Sequence, residues 1–178
     1  MFRELSKRER TKLNSFLSYW NIFGYFKDKV LVIRNKDVFM INNMKEFVLN
    51  NDPVFAGIKV CTIRKHVHLS LSILHIFVNN NCSKKVMIND HAEQLFLYGK
   101  DIFGSSIVWH TNDFRANDEV IIINRYNEPL GIGKVRYDCN DNKLYSKGIV
   151  IDNIKDLGSY LRDESLPLDE IDSNITKI

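Results

Sequence analysis

Apolar positions along this chain repeat with two different periods. Leu13, Phe16, Leu17 and Trp20 recur at the spacing of a single helix face. Ser6 and Glu9 stand just ahead with the S-x-x-E spacing of a capping box, so the helix opens across Leu5–Glu9. Gly24 breaks the pattern. Lys29 to Arg34 (KVLVIR) is then a β-branched run suited to a buried strand. Asn35-Lys36-Asp37 predicts a turn, and Val38 to Ile41 pairs back as a hairpin. Met44 to Leu49 predicts a short helix stopped by Asn50-Asn51-Asp52-Pro53, because proline disfavours helix in the residue before it. Gly57 to Lys65 and Val67 to Phe77 predict two more strands. In the second, His68, Ser70 and Ser72 alternate with Leu69, Leu71 and Ile73.

Asn79 to Lys84 is polar and without periodicity, and predicts a boundary between residues 1–80 and 84–162. Beyond it, Val86 begins a strand and Asn89 or Asp90 caps a short helix. Ala92, Leu95, Phe96 and Tyr98 give that helix an apolar face, and Gly99 ends it. Lys100 to Gly104 predicts a tight exit loop. Phe114 to Glu119 predicts a turn into a buried strand, Val120 to Ile123, and Asn127-Glu128 a hairpin tip. Leu130 to Val135 predicts a strand crowded enough to need Gly131 and Gly133. Asp138 to Lys143 is a polar turn, and Gly148 to Ile151 a closing strand. Lys155 to Arg162 predicts a docking turn or helix that holds Leu157, Tyr160 and Leu161. Residues 163–178 predict a loosely held acidic tail.

Charge sharpens this division. Residues 1–80 carry 13 Lys and Arg against 6 Asp and Glu, residues 81–162 carry 11 against 11, and residues 163–178 carry 1 against 5. A basic front half suits a phosphate or acidic partner, or simply a solvated surface. In the second half any affinity for such a partner must come from local placement. No apolar run approaches the ~20 residues of a membrane span, and MFRELSKRER lacks the apolar stretch of a secretory signal. Cys61, Cys82 and Cys139 fit reduced thiols of a cytoplasmic protein.

Enzyme signatures are weak. Gly131-Ile132-Gly133 has no third glycine and no following helix to meet a pyrophosphate. His66 and His68 share a strand face near Cys61 and His75, yet nothing supplies a fixed third and fourth ligand, so neither metal nor cofactor is expected. Asp118 and Glu119 are adjacent and point to opposite faces, so they cannot act as an acid–base pair.

The order strand, short helix, glycine, strands and hairpin from Val86 to Val135 resembles a PUA domain, a small RNA-binding pseudo-barrel. Three motifs narrow the likeness: Ala92-Glu93-Gln94 with Phe96-Leu97-Tyr98-Gly99; Pro129-Leu130-Gly131 with Gly133; and Asp156, Gly158, Tyr160, Arg162 and Glu164. Together, in this order, they resemble the Nip-seven family of ribosome-biogenesis proteins, archaeal in type. Phe55 to Leu74 is similar to the end of that family's amino-terminal domain, with His66, Val67 and His68 where relatives have basic or aromatic residues.

The resemblance implies an α+β chain: an antiparallel sheet with flanking helices over residues 1–80, then a mostly β PUA pseudo-barrel over 84–162. It implies a cytoplasmic, non-enzymatic factor that binds single-stranded or looped precursor ribosomal RNA of the large subunit, with uridine-rich sequence as a candidate. Ribosome-assembly or exosome proteins are the implied protein partners, with no membrane and no small-molecule substrate. A protein-interaction adaptor with weak or no RNA binding is the main alternative, and a specificity subunit or degenerate relative of an RNA-modifying enzyme, by analogy of fold, is the other. A PUA domain reads RNA in a groove beside its short helix, which points to Gln94, Gly99 and Lys100. Arg125, Lys134 and Arg136 on the hairpin, Lys143 and Lys147 beside the closing strand, and Lys155 and Arg162 near the end complete the candidate set. Tyr126 and Tyr137 are candidates for stacking on unpaired bases, against plain surface packing. Asp163 and Glu164 follow Arg162 where relatives carry a basic cluster, with Lys155 as the compensating charge.

Overall fold

The structure, a computed structural model, describes residues 1–162; the acidic tail expected at 163–178 lies outside the described residues. β1 (Phe2–Glu4), α1 (Lys7–Tyr19), α2 (Phe23–Phe26), β2 (Val30–Arg34), β3 (Asp37–Ile41), α3 (Lys45–Asn51), β4 (Ile58–Ile63) and β5 (Val67–Leu69) come first. Their five strands pair in sequence order, all antiparallel. The capping box forms as expected: Glu9 N–H donates to Ser6 Oγ, and the Glu9 carboxylate accepts from Ser6 N–H at 2.9 Å. Asn35 (φ 56°) and Asp52 (φ 43°) occupy the left-handed region where the turn and the end of α3 fall.

Two expectations fail here. Gly24 does not break the chain but lies inside α2. Val67 to Phe77 is not one strand, because Ser70 Oγ accepts from Ser72 N–H and starts a 3₁₀ turn at Leu71–Ile73. That turn leads into α4 (Leu74–Asn79), which buries Leu74, Phe77 and Val78. These three sit at i, i+3 and i+4, so a short apolar run fits helix and strand periods equally, and packing decides.

The second half holds β6 (Lys85–Ile88), α5 (Asp90–Leu97), β7 (Ile102–Phe103), β8 (Ile107–His110), β9 (Glu119–Ile123), β10 (Pro129–Val135), β11 (Ile149–Asp156) and α6 (Ser159–Arg162). Six strands form one sheet in the order β7-β11-β10-β9-β6-β8, antiparallel except for β6 against β9. β7 interrupts the predicted exit loop, and β11 runs well past the predicted Ile151. The glycines of β10 behave as expected: a Cβ at Gly131 would collide with the Lys155 carbonyl, and one at Gly133 with the Ile151 side chain.

β9 is buried on both faces, and its alternation joins the two sheets. Val120 and Ile122 pack with Phe96, Val135 and Ile151 inside the second sheet. Ile121 and Ile123, with Ile132 of β10, pack instead against Leu13, Leu17, Trp20 and Phe77 of the first half. The Trp20 and Phe77 rings meet edge to face, centroids 5.9 Å apart. Lys84, expected in a polar boundary, is buried at this junction. Its ammonium donates to the Asp113 carbonyl, pairs with Asp118 at 3.1 Å, and lies 4.3 Å from the Tyr19 ring centre.

Candidate nucleic-acid interface

Asn89, rather than Asp90, caps α5: its Oδ1 accepts from Ala92 N–H at 2.9 Å. Ala92 and Phe96 are buried, whereas Leu95 and Tyr98 face solvent at 38% and 71% exposure, so the apolar face is narrower than predicted. Gly99 (φ 80°) turns the chain out of the helix, and Lys100 N–H closes back on the Leu95 carbonyl. The exit is anchored from β11. Asn153 Nδ2 donates to the Phe96 carbonyl at 2.8 Å, and Asn153 N–H donates to Asp101 Oδ1 at 2.9 Å.

β11 ends at Asp156, which is buried and holds Arg162 of α6 through two bonds of 2.9 Å. Ser159 Oγ donates to the Asp156 carbonyl at 2.6 Å and fixes the start of α6. Gly158 allows close approach, because a Cβ there would collide with the Leu97 carbonyl. The result is a groove of about 640 Å³ lined by Gln94, Leu97, Tyr98, Leu157, Gly158 and Arg162. The Arg162 guanidinium lies 3.3 Å from where a Cβ would stand on Gly99. Two of its donors go to Asp156, so a rigid cation remains beside a bare stretch of backbone.

The ten candidate residues do not share one surface. Gln94 and Arg162 line the groove, Gly99 borders it, and exposed Lys100 follows Gly99 directly. Arg125 sits at the hairpin, paired with Asp90 at 3.0 Å and stacked over Tyr126 at 4.9 Å. Arg136 is tied to Asp152, a contact that raises its pKa. Lys134 and Lys155 lie on the opposite face of the sheet from Asp156, because Ile132 pairs with Lys155 and Gly131 with Asp156. Lys155 is therefore a strand residue facing away from Arg162. Lys143 and Lys147 are exposed near a 3₁₀ turn, Asn142–Tyr145, that packs on Gly104. Tyr126 is exposed, whereas Tyr137 packs against the second core.

His75 lies on α4 and His66 in the turn between β4 and β5, outside the strands that hold Cys61 and His68, so His66 and His68 do not share a strand face. Among the described residues no group of three His, Cys, Asp or Glu could hold a metal ion. Asp118 pairs with Lys84, and Glu119 opens on a different cleft. The groove also uses Asn153 and Leu157, which were not candidates. Asn153 reaches Phe96 across 57 positions of sequence, a contact no local pattern signals.

Comparison with known proteins fits this architecture. Residues 84–165 match the family described as UPF0113 PUA domain. A UPF0113 protein of Archaeoglobus fulgidus is 28% identical over 166 residues, covering 90% of this chain and 94% of that protein. A rat protein named as a 60S ribosome subunit biogenesis protein NIP7 homolog is 34% identical over 83 residues, 45% of each chain. A conserved PUA domain protein from Thermoplasma acidophilum superposes with a TM-score of 0.64 at 16% identity, covering 90% of this chain and 97% of that one, a likeness of fold. The helix–glycine exit, the crowded β10 glycines and the Asp156–Arg162 corner all lie within the span, residues 84–165, that is similar to the UPF0113 PUA domain.

Proposed function

We propose that this protein is a non-enzymatic RNA-binding factor of ribosome biogenesis, holding single-stranded or looped precursor ribosomal RNA of the large subunit in the groove beside α5. One observation carries the reading. At Gly99 the backbone is bare of side chain, with Lys100 next in sequence and the Asp156-tethered Arg162 alongside. A ribose–phosphate chain can approach such backbone closely, a mobile ammonium can follow its phosphates, and a fixed guanidinium can set its position. Tyr98, 71% exposed on the groove, offers a face for an unpaired base. The NIP7 homologues among the relatives support the ribosome-biogenesis assignment. Cytoplasmic location, uridine-rich sequence preference, assembly or exosome partners, and the division at residues 80–84 with an acidic tail over 163–178 belong to the same reading.

Fluorescence anisotropy with uridine-rich and adenine-rich RNA oligomers across a salt series tests it. If about four phosphates are neutralised, log K falls with log salt at a slope near −3, using ~0.7 per contact for single strands. Lys100→Ala weakens binding and makes the slope shallower by about 0.7. Unchanged affinity in that variant sinks the groove assignment.

A second reading has its own support. Arg125, Arg136 and Arg162 all hold intramolecular carboxylates, which leaves fewer cations for phosphate. Phe47 and Phe55 are 51% and 89% exposed on the first half. These features suit a protein-interaction adaptor. Folded protein that binds no RNA at low salt, yet captures a partner insensitive to ribonuclease, supports the adaptor instead.

A further inference from the structure

A second cleft opens on the other face of the β9–β10–β11 sheet, between the two halves of the molecule. One wall is α1 with Phe16 and Tyr19, continued by Trp20 at its C-cap; β5 contributes His68, and the facing strands contribute Glu119 and Lys134. Its volume of about 440 Å³ falls within the ~300–1,000 Å³ of small-ligand sites. The register accounts for the polar row. Lys134 pairs with Glu119 across β9 and with Asp152 across β11, and Ile132 pairs with Lys155, so all four polar side chains share this face.

Two observations, an aromatic floor and an uneven set of charges, point to an occupant. The floor is aromatic: Trp20 meets Phe16 at 6.3 Å and Tyr19 at 5.9 Å, edge to face in both cases. Trp20 is fully buried, and its indole N–H has no hydrogen-bond partner among the described residues. The charges are also graded. Asp152 is held by Arg136, whereas Lys134 and Lys155 have no carboxylate within ion-pair distance among the described residues. Burial raises the pKa of Glu119, and its neighbours His68, Lys155 and Lys134 draw it part of the way back.

We propose that this cleft holds one unpaired nucleotide of the bound RNA, its base against the α1 aromatics and Glu119, its phosphate on Lys134 and Lys155. The base that suits it best is guanine, whose N1–H and N2–H can donate side by side to one carboxylate. A strand can reach the cleft from the α5 groove around β11. β7 pairs with β11 only at Ile149 and Ile151, and Asp101 takes the Asn153 N–H, which leaves residues 154–156 as a sheet edge between the two sites. The inference rests on the RNA-binding reading above, but its test does not need the α5 groove.

The chain has two tryptophans, so its indole N–H resonances report two places. Trp109 lies on β8, at the far edge of the second sheet. Guanosine monophosphate is titrated into the folded protein while both resonances are followed, with Trp109→Phe used to assign them. The expected result is a saturable shift of the Trp20 resonance alone. Its midpoint is raised about tenfold in Lys134→Ala and in the isosteric Glu119→Gln, and is unchanged in Lys100→Ala. Adenosine, cytidine and uridine monophosphates bind at least about tenfold more weakly. A Trp20 resonance that does not move, while RNA oligomers still bind through Lys100, overturns the cleft and leaves the groove standing. Equal shifts by all four nucleotides overturn the role of Glu119. A specific shift with guanosine monophosphate but no RNA binding keeps the cleft and removes the RNA-binding function.

Discussion

Single side chains in this protein are tuned mainly by whether water reaches them. Burial pushes the Cys61 thiol up to about 12 and the Cys82 thiol up to about 11. Both therefore stay protonated at neutral pH and shielded, whereas Cys139 is partly exposed. Thiol titration of the native protein at mildly alkaline pH is expected to modify Cys139 and to reach the other two only after denaturation; fast labelling of all three would show an open core. Glu9 is tuned the other way. The Arg3 guanidinium holds its carboxyl down at about 2, with the Ser6 amide and hydroxyl assisting against burial. A lowered pKa means that Glu9 adds stability above its ordinary value of 4.5, and that this is lost as pH falls toward about 2. Solvent screening keeps the contribution below what the full shift would imply. Glu9→Gln keeps a side chain able to close the capping box. Urea melts of that variant are expected to show a flatter stability profile between about pH 4.5 and pH 2 than the parent.

At the scale of elements, the junction of α5 and α6 decides whether the groove exists. Gly158 lets α6 lie against the end of α5, with no room for a Cβ beside the Leu97 carbonyl. Gly158→Ala must push the two apart, loosening the Asp156–Arg162 bonds and the groove between them. The expected cost is about 1–3 kcal/mol in thermal or urea unfolding, together with weaker RNA binding. Wild-type values for both would show that the contact is not needed. Legibility also varied by element. The capping box, the Gly99 exit and the two β10 glycines were readable because each answers a local requirement: an orphan amide, a positive φ, a crowded strand. β5 and α4 read as one strand in the sequence because Leu69 to Phe77 satisfies either period, and the Ser70 turn that separates them leaves only a weak local signal.

At the scale of the whole molecule, the two sheets are welded through β9 and Lys84. Ile121, Ile123 and Ile132 complete a cluster begun by α1 and α4, so each half covers apolar surface of the other. Calorimetry is expected to give one cooperative transition for the chain, and residues 84–162 expressed alone are expected to bind a hydrophobic dye through that exposed face. Lys84→Met removes the cation shared by Asp118, the Asp113 carbonyl and the Tyr19 ring. Asp118 then loses its buried partner, at an expected cost of roughly 2–3 kcal/mol. Two separate transitions in that variant would locate the coupling at this one side chain. A loss under about 0.5 kcal/mol, as for an ordinary surface change, would show that Lys84 does not bind the halves together.

Local chemistry within a few residues determined most of the strands, the turns and caps and the helix–glycine exit, and with them the likeness to a PUA domain. Tertiary structure decided which cations are available. Arg125, Arg136 and Arg162 are held by Asp90, Asp152 and Asp156, while Lys134 and Lys155 turn to a face away from the α5 groove. The partners lie between 6 and 35 positions away in sequence for Arg162 and Arg125, with Arg136 between them at 16. Periodicity says which face of its own strand a residue takes. It carries no information on which carboxylate, or which other half of the molecule, that face will meet, because such contacts depend on how the sheets curl and pack rather than on the neighbouring residues.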